Sequence, residues 1–271
     1  MSYLALNSSA SGMTALNTRL DVIANNIANS ETTAFKGSRA NFQDLYYIEK
    51  KQPGVESQAV ASTSPIGLFV GLGVDTAGTQ LDFEQGAAIP TGRALDVMIE
   101  GDGFLRVNLG DLSPTSIGYT RAGNLSTDAD GNLVMANDVG YQIEPNINIP
   151  PNATQVSIGT DGTVFYQDPA SPNPEVAGQL ELTVFQNAAG LQTIGDNIYL
   201  ETFGSGPPVD GVPGDPSVGS GSIRSGFLEG SNVDAVTELV DLIRTQRAFE
   251  MNSQTFNAAD ETLQTVVNLG R

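Results

Sequence analysis

Residues 13–27 read MTALNTRLDVIANNI. Their apolar side chains fall at Met13, Leu16, Leu20, Ile23 and Ile27, alternately three and four positions apart. That spacing makes one stripe along a helix and is the seam of a coiled coil. The opposite end of the chain carries the same pattern. Leu242, Phe249, Phe256 and Leu263 recur every seven residues, supported by Leu239, Ala259 and Val266. Leu239, Leu242 and Ile243 alone would suit an ordinary core-facing helix. Asn252, Ser253, Gln254, Asn257 and Asp260 lie between the later apolar residues, so the stripe is narrow and the helix polar, which favours a helix–helix seam. The pattern predicts one helix over residues 3–29 and another over 233–268, the second on the order of 50 Å long. Each needs a partner: the other helix, or a neighbouring copy of the chain.

Outward from these ends the pattern changes. Asn25, Asn26 and Asn29 are expected to stop the first helix gradually, and the cluster Ser30-Glu31-Thr32-Thr33 to end it. Gly12 weakens its first turns by roughly 1 kcal/mol relative to Ala. Residues 34–50 suggest a second short amphipathic element, and the polar, Pro-bounded residues 51–66 an extended connector. From about residue 67 the period is two. Asp130-Gly131 and Asp161-Gly162 sit between apolar runs as hairpin signals. Apolar runs at 96–100 and 104–107 flank a Gly101-Asp102-Gly103 turn, and residues 179–185 alternate. Residues 204–222, GSGPPVDGVPGDPSVGSGS, read as a loop without core-forming capacity, and 223–229 as a last strand. Ser231, three residues before Asp234, gives a capping-box signal for the C-terminal helix.

Composition removes several function classes. Among 271 residues there is no Cys, His or Trp. Disulfides, thiolate or imidazole metal sites and His-dependent nucleophiles are therefore excluded. No run of eighteen apolar residues predicts a membrane span, and the N-terminus lacks the features of a cleavable signal. The net charge is −19, unevenly spread: residues 52–230 hold four Lys/Arg against twenty-one Asp/Glu, while 1–51 hold five against four and 231–271 three against six. That sign argues against nucleic acid. Near-neutral ends suit packing against protein, and an acidic middle suits a solvated surface. The turn around Asp128-Ala129-Asp130 resembles a calcium loop, but Leu133 and Val139 stand where such a loop needs Gly and Glu. Gly71-Leu72-Gly73 and Gly101-Asp102-Gly103 lack the Lys-Ser/Thr of a phosphate cradle. Asp82 with Glu84, and Asp96 with Glu100, are unremarkable in a chain with 31 acids.

Residues 21–37, DVIANNIANSETTAFKG, resemble the N-terminal signature of bacterial flagellar axial proteins of the rod and hook. The resemblance continues through VMIEGDGF at 97–104, YTRAGNL at 119–125, GFLEGSNV at 226–233 and TQRAFEMN at 245–252. DLYY at 44–47, QPG at 52–54, PIG at 65–67 and GLGV at 71–74 are most similar to the distal-rod branch of that family, with the proximal-rod branch next. The Pro-rich stretch around 207–216 departs from it, and the match at Ser2-Tyr3-Leu4 is loose.

The resemblance implies a non-catalytic subunit that polymerises helically into a rigid shaft transmitting torque to the hook. It implies export by the flagellar type III apparatus and no cofactor. The implied partners are further copies of the chain, other rod proteins, the hook protein and surrounding ring proteins, with no nucleic acid and no membrane insertion. The expected fold is α+β, mainly β, and discontinuous. Residues 1–30 with 231–271 form a helical coiled-coil core, 31–66 a connector and 67–230 an outer β domain. The expected assembly interface is Met13, Leu16, Leu20, Ile23, Asn25, Asn26, Ile27, Asn29, Leu239, Leu242, Ile243, Phe249, Phe256 and Leu263. A hook protein of the same family, or a secreted β-rich binding protein or enzyme, is the alternative.

Overall fold

A computed structural model describes residues 2–53, 66–110, 116–169 and 173–269. The fold is α+β and mainly strands, with one long helix at each end. The chain divides into two compact units. Unit 1 comprises residues 1–27, 38–80 and 234–271, and unit 2 comprises 28–37 and 81–233.

In unit 1, helix α1 spans Ser2–Ala28 and helix α2 spans Ala235–Leu269. Neither contains Pro, and α1 ends where the Thr32 amide and hydroxyl fold back onto Asn29. Asp234 caps α2: its carboxylate accepts from the Val236 amide and the Thr237 hydroxyl. The capping-box expectation for Ser231 is thus displaced, since the Ser231 hydroxyl serves the Val233 amide one turn earlier. Residues 34–50 form no second helical element. They supply strands Ser38–Asp44 and Tyr47–Lys51, which pair with Val74–Leu81 and Leu68–Gly71 to make a two-stranded ribbon. The physical reason is a distant partner: residues 68–81 complete the ladder, and Phe42, Tyr46, Tyr47 and Ile48 suit a pleated surface. Residues 54–65 of the expected connector lie outside the described residues.

Unit 2 holds the main core. The strand Phe104–Asn108 is its hub, pairing with Ile117–Thr120 on one side and with Gln142–Glu144 and Leu182–Val184 on the other. Both Asp-Gly pairs turn hairpins as expected: Leu125–Thr127 pairs with Leu133–Met135, and Gln155–Ile158 with Thr163–Gln167. Val97, Ile99, Leu105, Val107, Leu125, Leu133, Ile143, Leu180 and Leu182 pack into one cluster. Phe104, Tyr119, Phe185 and Tyr199 form a second, with edge-to-face ring contacts of 4.7–6.0 Å.

The runs around Gly101-Asp102-Gly103 do not pair with each other. Val97–Glu100 pairs with Ser222–Ser225 in a different sheet from Phe104–Asn108. Residues 179–185 likewise change sheet, between Glu175–Gln179 and Leu182–Val184, though Leu180 and Leu182 point inward as the alternation requires. The Gly/Pro/Ser segment is less inert than its composition implies. Val209–Gly211 pairs with Leu182–Val184, and Ser205 is fully buried. The last strand is two, Ser222–Ser225 and Phe227–Glu229, broken at Gly226 and paired to different partners.

Candidate assembly surface

The two terminal helices run antiparallel where they touch. Asn26 Nδ2 donates to Glu238 Oε1 at 3.0 Å, and Arg19 meets Asp241 at 3.4 Å. A Cβ at Gly12 would stand 2.8 Å from Asn252 Nδ2, so Gly12 lets α2 approach closely. Among the buried and half-buried positions of α2, Ala235, Glu238, Leu242, Thr245, Phe249, Asn252, Phe256, Ala259 and Leu263 follow the three–four rhythm, with Asp241, Ala248 and Ser253 beside them. On α1 the series Ser9, Gly12, Leu16, Arg19, Ile23 and Asn26 runs at the same spacing, with Ser9, Ile23 and Asn26 buried. Leu16, Ile23 and Asn26 of that series were expected at an interface, whereas Ser9, Gly12 and Arg19 were not.

A second face of α1 meets the ribbon. Ser11 Oγ accepts from the Val74 amide. Gly73, at φ +121°, fits beside it, and a Cβ there would lie 2.2 Å from the same hydroxyl. Asn26 does more than end a helix: its side chain donates to the Ser38 carbonyl and accepts from the Ser38 amide, tying α1 to the first strand of the ribbon.

The expected interface residues therefore fall into two groups. Met13, Leu16, Leu20, Ile23, Asn26, Ile27, Leu242, Phe249, Phe256 and Leu263 are buried or half-buried within unit 1, whereas Asn29 is half-buried in unit 2. Asn25 is exposed, as are Leu239 and Ile243 at about half their surface. Leu239 and Ile243 join Val236 and Val240 in an apolar stripe on α2 beside the stripe that faces α1. The ribbon adds Tyr46, Tyr47, Leu68 and Phe69, all more than half exposed. These ribbon residues were missed, although TyrTyrIle followed by GlyLeuPheVal is a β-forming signal.

Inside unit 2 lies an ionic node that no sequence pattern announced. Lys36 Nζ is 2.6 Å from Glu229 Oε1 and 2.6 Å from the Glu84 carbonyl, with both side chains fully buried. Arg121 Nε binds Glu229 Oε2 at 3.0 Å, and its remaining nitrogens donate to the carbonyls of Ile99, Gly101 and Gly103. Burial lowers the Lys36 ammonium from its ordinary value, against the opposing pull of Glu229. The Asp128 carboxylate, by contrast, is engaged with its own turn, accepting from the Asp130 and Asn132 amides and from Asn132 Nδ2.

The arrangement holds helices and strands together by packing and buried ion pairs. Three family descriptions match along its length. Residues 6–36 match "Flagella basal body rod protein", 98–166 match "Flagellar hook protein FlgE/F/G D1 domain", and 224–269 match "Flagellar basal body rod FlgEFG protein C-terminal". A flagellar basal-body rod protein FlgG of Agrobacterium fabrum is 45% identical over 95% of each chain, and one of Borreliella burgdorferi is 42% identical over 98% of each. A rod protein FlgF of Caulobacter vibrioides is 31% identical over 94% of each chain. The chain belongs to the flagellar basal-body rod protein family.

Proposed function

We propose that the chain is a structural subunit of the distal rod of the bacterial flagellum, polymerising helically through its terminal helices into a shaft that carries torque. Membership of the rod family supports the role, and greater identity to FlgG relatives than to the FlgF relative favours the distal over the proximal position. The observation that carries polymerisation is the second apolar stripe of α2. Val236, Leu239, Val240 and Ile243 lie exposed beside a stripe already occupied by α1. A helix with one satisfied and one open seam is suited to bind a further copy, and a contact of this kind that does not close gives a filament. In this reading residues 1–30 and 231–271 pair as a coiled-coil core, 31–66 connect, and 67–230 face outward.

The subunit acts without a catalytic group or cofactor, in the basal-body rod that spans the periplasm. Its neighbours there are other copies, other rod proteins, the hook protein and the surrounding rings, and it reaches them through the flagellar export apparatus. The acidic unit 2 suits the solvated surface of such a polymer. Electron micrographs of the concentrated wild-type protein test the reading: short straight rods are expected, and long curved polymer would instead indicate a hook subunit.

A further inference from the structure

Residues 33–37 end the first segment of unit 2, which follows α1 in the chain, and residues 229–232 lie at the end of its second segment, just before α2. The ends of these two segments are bonded to each other. The Ala34 amide donates to the Glu229 carbonyl at 2.8 Å and the Asn232 amide to the Phe35 carbonyl at 3.3 Å. The Gly37 amide donates to Asn232 Oδ1 at 2.8 Å, and Asn232 Nδ2 donates to the Asp82 carbonyl. Lys36 and Glu229, 193 positions apart, form the buried ion pair between them.

We propose that Glu229 is the keystone of a clasp that fastens the ends of the two chain segments of unit 2 to each other, so that residues 33–37 close only when residues 229–232 are in place. Both oxygens of its carboxylate are engaged. Oε1 receives Lys36 and the Gly86 amide, and Oε2 receives Arg121. The anion is thus shared by two buried cations from different parts of the sequence. Removing Lys36 leaves the Glu229–Arg121 pair still compensated. Removing the Glu229 charge leaves two buried like charges that lose their shared anion, a far larger penalty. The clasp therefore has a direction: the end of the second segment holds the end of the first. It stands independently of the assembly reading, because every member lies within unit 2.

Hydrogen exchange on the full-length chain tests it. In Glu229→Gln the Ala34, Gly37 and Gly86 amides should each lose at least tenfold protection, while the three-stranded sheet of residues 155–179 keeps its own. In Lys36→Met the loss should be confined to Ala34 and Gly37, with Gly86 still held by Glu229. Wild-type protection at Ala34 and Gly37 in Glu229→Gln would overturn the proposal. So would a Lys36→Met variant that loosens Gly86 and the 155–179 sheet as much as residues 33–37, since that pattern marks general destabilisation. If Glu229→Gln does not fold, the Lys36→Met pattern alone decides.

Discussion

Unit 2 and unit 1 bury their apolar residues very differently. Apart from Ala15 and Ile23, every fully buried apolar side chain among the described residues belongs to unit 2. In α2, a helix of 35 residues, the one buried residue is Thr245. Most of the large exposed apolar side chains lie in unit 1, on α2 and the ribbon. Unit 2 thus has a core of its own, while unit 1 has seams. Amphipathic helices draw most of their stability from what covers their apolar face, so the two units should answer differently to substitution.

Leu105→Ala should have the largest effect. Leu105 is fully buried at the hub strand of unit 2, and its truncation should cost about 2–5 kcal/mol of unit 2 stability, measured by denaturant unfolding. The α1 amides should keep their exchange rates in that variant; a parallel loss would show the units to be one cooperative body. Ile23→Asp is the converse. It strips about 1.5–3 kcal/mol of burial from the seam of α1, and Ile23 is only 4% exposed. Exchange along α1 and α2 should accelerate while the unfolding transition of unit 2 moves by less than about 0.5 kcal/mol. A matching drop in unit 2 would erase the distinction between seam and core.

High pH gives a milder test. Burial pushes the Tyr119 phenol up to about 12, with the charges of Glu201 and Asp210 adding to the rise. Tyr199 is raised further, again mainly by burial. Both phenols stay neutral in folded unit 2 after they would ionise in the unfolded chain, near 10.0. A raised folded value of this kind stabilises fully below the unfolded value and is lost as pH rises through the folded one. Unit 2 should therefore weaken progressively above about pH 10. Phenolate absorbance should show Tyr119 and Tyr199 still neutral in the folded chain well above pH 10. Simultaneous titration of all tyrosines would contradict the packing of the aromatic cluster.

Local signals made part of this difference legible in the sequence. The heptad spacing gave both helices within about two residues of their ends, and the Asp-Gly pairs gave two hairpins. The ribbon's β-forming residues carried a local signal but its pairing did not, because strands 38–51 acquire their ladder from residues 68–81, and a local window cannot weigh a partner outside it. Of the polar residues in the α1 seam, Asn26 was expected at an interface, but Ser9 and Arg19 were not. Arg19 faces Asp241 and Asn26 faces Glu238, partners known only once the helices are placed. The Lys36–Arg121–Glu229 node joins three remote positions, so no spacing encodes it. Leu239 and Ile243 were recognised as apolar, but periodicity alone did not separate the face turned to α1 from the exposed one.

That separation leads to the smallest expected effect on the isolated chain and the sharpest on assembly. Ile243 is 50% exposed, so Ile243→Asp should change monomer stability by no more than about 0.5 kcal/mol. Negative-stain micrographs and sedimentation of the concentrated variant beside wild type are the direct measurement. The exposed α2 stripe, if it is the seam between copies, predicts rods from the wild-type chain and dispersed monomers from Ile243→Asp. Rods of wild-type length and abundance from Ile243→Asp would contradict it.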